Sequence, residues 1–313
     1  MSRPDLIRAG AVAVLILVLI LALAAMDANS PTAAPPPDSA PPIELVRTAV
    51  ANEVAAANDS SNKHMFRSRK RTAQGSQTRL YAETRDAIAG MTIAYNDKPL
   101  SPEQIQGEDA RLANLADNPD QLIRKRAQEQ ENADRTLRVV KALPDAFVYD
   151  YDGEENGTAG LGKDGSRLVR LKFRPNPAYE PPSHVEDVLS GMQGVLLIDS
   201  AARRIARIDG TLFKEVSFGW GILGHLDKGG HFLIEQRDIG DGSWDVVQMA
   251  LSFTGKILFF KKIAINSDEV FSDFRRIPAS TTFAQGVELV KAERAKLAEN
   301  HEPAAAAADT TSH

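Results

Sequence analysis

The chain has no cysteine. That excludes a disulfide framework, a thiol nucleophile, a thiolate metal site and a lipid anchor attached through cysteine. Excess positive charge is also missing. The net charge is −5, so electrostatics offer no basis for binding nucleic acid. Aromatic residues are scarce, at 6%, and only two are tryptophan, Trp220 and Trp244. The sequence holds no G-x-S-x-G, no Walker loop and no H-E-x-x-H. Nothing in it asks for a cofactor.

Against these absences stands an ordinary globular balance. Hydrophobic residues are 43% and charged residues 25% of 313, enough to bury a core. The first apolar feature is a run over residues 9–26, preceded by Arg3 and Arg8. At 1.5 Å per residue such a helix is about 27 Å long, close to a bilayer core. No Lys or Arg follows until Arg47, so the rest of the chain is expected outside the cytoplasm. Residues 1–30 read as a signal peptide, with Ala22-Leu23-Ala24 as its cleavage site, or as a retained inner-membrane anchor. Residues 31–42 are proline-rich, a stiff spacer. Residues 43–299 read as one domain. Residues 300–313, with five consecutive alanines, read as a disordered tail.

Within the domain, apolar residues at spacings of three and four predict a helix over 43–58. A basic cluster follows: Arg67, Arg69, Lys70 and Arg71. Phosphate contact and a solvated strand face are its two readings, and isolated patches of this size favour the second. Leu80, Ile88, Met91 and Ile93 are candidate core positions of strand. Ser101 with Gln104, Asn118 with Gln121 and Ser183 with Glu186 have capping-box spacing. They predict helices over 102–116 and 119–142, the latter ended by Pro144, and a short helix over 184–190. The block 102–142 is dense in charge, and Ile123, Ala127, Leu137 and Val140 form a thin apolar stripe on its second helix. It reads as a surface insertion or an arm for a protein partner.

Strand is predicted over 146–151 and 167–174. In the second, Val169, Leu171 and Phe173 point one way and Arg170, Lys172 and Arg174 the other. Between them Gly160, Gly162 and Gly165 spell G-x-G-x-x-G. A strand rather than a helix follows, so the glycines read as turn residues and not as a nucleotide loop. Asp152, Glu154 and Glu155 lack the ligand spacing of a calcium loop. From 194 onward the chain meanders through strands at 195–198, 203–208, 212–218, 231–239, 244–253 and 256–265. Turns are predicted at Asp209-Gly210, Lys228 to Gly230, Gly240 to Gly242 and Thr254-Gly255. The glycines in 218–224 suggest a bulge, a bend or close approach of another backbone. The last helix is predicted over 283–299.

Such short connections make antiparallel pairs. The fold class is therefore α+β: a curved antiparallel half-barrel with helices covering one face, plus the charged helical block. Its candidate ligand-lining residues are Leu171, Phe173, Leu197, Leu212, Phe218, Trp220, Phe232, Trp244 and Phe259. The nearest approach to a metal grouping is His225, Asp227 and His231, and the residues alone do not make it a site. The carboxylates that might do acid–base work are Glu235 with Asp238 or Asp245.

Residues 146–278 resemble the LolA/LolB type of bacterial envelope lipoprotein-sorting carriers and their lipid-binding relatives. The likeness is carried by Gly191-Met-Gln-Gly194, by Val195 to Asp199 and by Arg204-Ile-Ala-Arg-Ile-Asp-Gly210. It implies an open half-barrel that holds acyl chains without chemistry. It also implies a periplasmic place, with lipid or an acylated lipoprotein as partner. The block 102–142, the segment 218–224 and an anchor retained through residues 9–26 depart from that pattern. The alternative is a membrane-tethered assembly module that binds a protein through its charged helices. A hydrolase using His225 or His231 is a third reading.

Overall fold

The computed structural model describes residues 41–183, 186–218, 224–240, 242–257 and 261–299. The run 9–26, most of the proline-rich spacer, the tail 300–313, Trp220 and Phe259 lie outside the described residues, as does the side chain of Phe218. Among the described residues no helix is long and apolar enough to cross a membrane.

The fold is α+β. It is an open sheet of 13 strands paired antiparallel. The chain divides into two compact units, one of residues 1–59 and 129–270, the other of 60–128 and 271–313. The sequence reading has a single domain here.

The first unit begins with α1 (Pro42–Asn58). Helix α3 (Pro119–Ala146) then leads into β5 (Phe147–Asn156), β6 (Arg167–Pro175) and a 3-10 turn (Asp187–Gly191). Next come β7 (Met192–Asp199), β8 (Arg204–Leu212), β9 (Val216–Phe218) and β10 (Gly224–Leu226). The long hairpin strands are β11 (His231–Gly240), β12 (Ser243–Ile257) and β13 (Lys261–Ile277). Strand order is β13-β12-β11-β8-β7-β6-β5, with β10 joining β12 to β9. Register shifts at Tyr151/Gly153, Leu197/Ile198 and Glu235/Gln236 mark bulges, which bend strands and raise their twist.

Helix α1 packs across β5, β7 and β8 and buries Val46, Ala49 and Val50, the apolar stripe its spacing predicts. Its end is fixed to β8. Glu53 takes two hydrogen bonds from the Arg204 guanidinium, both 2.8 Å, and a third from the Ile205 amide at 2.9 Å. Asn52 donates to the Arg203 carbonyl at 3.0 Å.

Two predicted turns are strand instead. Asp209 and Gly210 lie inside β8, and Thr254 and Gly255 inside β12. In both places glycine serves close approach. A Cβ on Gly255 would lie 2.1 Å from the His225 carbonyl of β10. Helix α3 runs through Pro144 to Ala146 rather than stopping before it. Proline's φ suits a helix, and near the end only one hydrogen bond is lost. There the Tyr149 hydroxyl donates to the Leu143 carbonyl at 2.8 Å.

The second unit holds β1 (Lys63–Thr72), β2 (Gly75–Ala82), β3 (Ala89–Tyr95) and β4 (Lys98–Pro99). It also holds α2 (Pro102–Ala116) and α4 (Phe283–Glu299), and its strand order is β4-β3-β2-β1-β13. Its core gathers Met65, Leu80, Met91, Leu112, Phe283 and Val290, with Ile93 packed against it. Helix α2 is thus a core element through Leu112, not an inserted arm. Asp109 clamps Arg294 of α4 at 2.8 and 3.0 Å. The capping box of Ser101 and Gln104 is complete. The Gln121 amide donates to Asn118 Oδ1 at 3.2 Å. The third box differs: the Ser183 hydroxyl donates to the Glu186 carboxylate, and the 3-10 turn starts beyond it.

Candidate functional site

The site starts from the register of the first unit. Directly paired residues on neighbouring strands share a face. One row runs Tyr149, Phe173, Gly194, Gly210, Phe232, Leu251 from β5 to β12. The next runs Leu171, Leu196, Ile208, Ile234, Met249. On the other side of the first row Met192 pairs with Leu212. These rows form one apolar face, and Leu171, Phe173, Leu196, Leu212, Phe232, Ile234, Met249 and Leu251 are all buried on it.

The two glycines put no side chain at the middle of the first row. At Gly194 the neighbouring backbone takes the space, a Cβ there lying 2.0 Å from the Asp209 carbonyl oxygen. At Gly210 aromatic rings take it and leave a shallow trough beneath them. A Cβ on Gly210 would lie 2.5 Å from the Phe232 ring and 3.2 Å from Phe173. Phe173 in turn packs on Phe147, with ring centroids 4.7 Å apart, and on Tyr149 at 6.5 Å. Burial pushes the Tyr149 phenol up, with Asp145 adding to it. In this structure the face is therefore filled by the protein's own rings.

Of the nine candidate lining residues, the register brings Leu171, Phe173, Leu212 and Phe232 together. It places Leu197 on the opposite face, paired with Arg170 and Arg207. Trp244 is there too, in a cluster with Leu161, Leu168, Leu197 and Ala206, and the Arg204 guanidinium lies 5.8 Å from its ring. The sequence reading of Leu197 fails because 195–198 is apolar on both faces, so alternation gives no side. Trp244 stands five residues from Met249 and seven from Leu251, so alternation along β12 puts it on the other face. Phe218, Trp220 and Phe259 lie outside the described side chains. Tyr149, Ile208, Ile234 and Met249 were missed; of these Ile208 alone stands between two polar neighbours, Arg207 and Asp209.

The opposite face is a ladder of charge. Asp152 meets Lys172 at 2.5 Å and Arg170 at 2.8 Å. Arg170 meets Glu155 at 2.5 Å, Glu155 meets Arg207 at 3.9 Å, and Arg207 meets Glu235 at 2.7 Å. Lys172 and Arg170 hold the Asp152 carboxyl below the usual carboxylate range. So the acids at 152–155 face guanidinium and ammonium groups; Glu154 pairs with Arg167 at 3.1 Å.

The remaining candidates fall apart as chemical sets. Glu235 is taken by Arg207, Asp238 accepts the Gly240 amide at 2.8 Å, and Asp245 accepts the Val246 amide at 2.9 Å. His231 faces Asp209 at 2.9 Å, while His225 faces Asp227 at 3.3 Å. Gly160, Gly162 and Gly165 form a turn strapped to β11: the Gly162 amide donates to the Gln236 carbonyl at 2.8 Å and its carbonyl accepts from Asp238 at 3.0 Å. In the second unit Arg67 pairs with Asp273 at 2.7 Å and Arg69 with Asp97 at 2.6 Å. Those two members of the basic cluster are thus engaged by acids of their own unit.

No family model matches the chain, and no curated protein matches it. Two solved structures are similar at low superposition. A DUF1329 family protein from Desulfovibrio piger has 13% identity and a TM-score of 0.26, covering 76% of this chain and 94% of its own. A putative outer membrane lipoprotein-sorting protein domain from Vibrio parahaemolyticus has 14% identity and a TM-score of 0.26, covering 73% of this chain and 91% of its own. Likeness at this level says nothing of what the chain binds.

Proposed function

We propose that the chain is an exported, non-enzymatic protein of the bacterial envelope that takes lipid or lipoprotein acyl chains onto the apolar face of β6, β7, β8, β11 and β12. The observation that carries this is the glycine trough. Gly194 and Gly210 pair in the middle of an apolar row; the Asp209 backbone lies against Gly194, and the rings of Phe232 and Phe173 lie over Gly210. Gly194 is required by the approach of the Asp209 backbone, whereas Gly210 is covered by side chains that can move. Rings pivot aside on one or two torsions, and an acyl chain laid in the trough buries about 0.8 kcal/mol per methylene. Export rests on Arg3, Arg8 and the apolar run 9–26.

Because the face is covered in this structure, an acyl chain must displace Phe232 and Phe173. The test is extraction of lipid from the gently purified full chain, with mass spectrometry against a Gly210→Val variant. The proposal requires acyl lipid on the parent protein and its loss from the variant. Equal lipid on both contradicts it, because the hydrophobic start alone would explain that result.

A second reading, capture of a protein partner by α3, is favoured by one observation. Ile123 is 65% exposed on the charged part of that helix. A specific partner captured by a lipid-free, folded protein, and lost on Ile123→Asp, would support it.

A further inference from the structure

The β9–β10 hairpin gathers three metal-ligand side chains that the sequence does not connect. Val216 pairs with Leu226, so Glu215 and Asp227 stand opposite each other just beyond the paired residues. His225 lies two residues before Asp227, on the same side of β10. One carboxylate oxygen of Glu215, a ring nitrogen of His225 and one carboxylate oxygen of Asp227 all lie within 4.8 Å of one another. We propose that Glu215, His225 and Asp227 form a binding site for a divalent first-row transition ion, with zinc as its probe.

Three features support a built site over a chance cluster. The donor set is mixed, one imidazole and two carboxylates, which suits a borderline ion in a chain without thiolates. Each carboxylate is oriented from outside the set. The Thr254 hydroxyl donates to Asp227 Oδ2 at 2.5 Å, which leaves Oδ1 toward His225. The Ser217 hydroxyl donates to Glu215 Oε1 at 3.2 Å. Hydrogen bonds of this kind fix ligating carboxylates in metal sites. Finally, Asp227 is anchored to a third strand, its amide donating to the Thr254 carbonyl at 2.9 Å.

Ligand bonds of about 2.0–2.1 Å place tetrahedral donor atoms about 3.4 Å apart. The widest separation, at most 4.8 Å, must therefore close by up to about 1.4 Å, and Glu215, which is exposed, can move that far. A cation that opposes the ion is Lys256, paired with His225 across β10 and β12; it is exposed and can swing outward on its stem. Three protein ligands leave a coordination position open to water. The bound ion would cross-link β9 to β10. His231, part of the grouping considered from the sequence, is not included, since it faces Asp209. The proposal does not depend on lipid binding.

The experiment is calorimetric titration of zinc chloride into the full chain, purified in mild detergent and stripped with chelator. The expected result is one equivalent bound. Glu215→Gln, His225→Ala and Asp227→Asn should each weaken it tenfold or more, Thr254→Val should weaken it by about tenfold, and Lys256→Gln should strengthen it. Glu215 and Lys256 lie on the surface, so their variants keep the fold, as circular dichroism would verify. Absence of stoichiometric binding would overturn the proposal. So would binding that survives all three ligand substitutions, as zinc held by His301 and His313 of the tail would.

Discussion

Glu53 and Arg204 are the residues on which α1 depends. Their side chains are only 12% and 13% exposed, and the pair also satisfies the Ile205 amide. Removing one member leaves the other charge without its partner in a largely buried place, a loss on the order of 3 kcal/mol. Glu53→Ala should lower stability by about that amount in urea titration, while a surface change such as Lys291→Ala should leave it within about 0.5 kcal/mol. Asp152 gives a pH signature. Its carboxyl is depressed by Lys172 and Arg170, so its contribution is complete above the unfolded carboxylate range. It is lost as pH falls through the lower, folded value. Asp152→Asn should therefore cost about 1 kcal/mol at neutral pH, and the difference from the parent should vanish in acid. At this scale the sequence was legible where side chains alternate, as in 169–174. It was not legible at Gly210 or Thr254-Gly255, where glycine marks close approach of a neighbour and the one-dimensional pattern looks like a turn.

Among the elements, α2 and α3 show how charge misleads. Both are rich in ions, and the sequence places them together on the surface. Yet α2 puts Leu112, fully buried, into the core of the second unit, whereas the face of α3 that is buried runs through Asn132, Val139, Leu143 and Ala146. The predicted stripe of Ile123, Ala127, Leu137 and Val140 is rotated from it. A polar residue, Asn132, occupies a buried position and an aliphatic one, Ile123, an exposed position, so counting apolar residues finds the wrong face. Leu112→Ala should cost about 2–5 kcal/mol, and Ile123→Ala should be near neutral; thermal unfolding followed by circular dichroism distinguishes them. Sequence pattern likewise shortens β12 and β13, because Thr254-Gly255 has the composition of a turn. The order of helices and strands, the antiparallel pairing and the caps at Ser101 and Asn118 were readable, since each rests on contacts within a few residues.

For the molecule as a whole, the fold class was legible and the division into two units was not. The units are each made of segments distant in sequence, and no linker composition marks the boundary. The lining of the apolar face was half legible: four of the nine candidates share it, two point elsewhere and three lie outside the described side chains. Phe232→Ala tests how the face is held. It should cost about 3–5 kcal/mol by opening the space over Gly210, while raising the uptake of a fluorescent fatty acid. The central claim, that this trough receives an acyl chain, is tested most directly by photocrosslinking. The full chain in mild detergent is given a phospholipid with a diazirine midway along its acyl chain, and the adducts are mapped by peptide mass spectrometry. Adducts are expected on peptides carrying Leu171, Phe173, Ile208 and Phe232. Adducts confined to residues 9–26, with none on those strands, would contradict it.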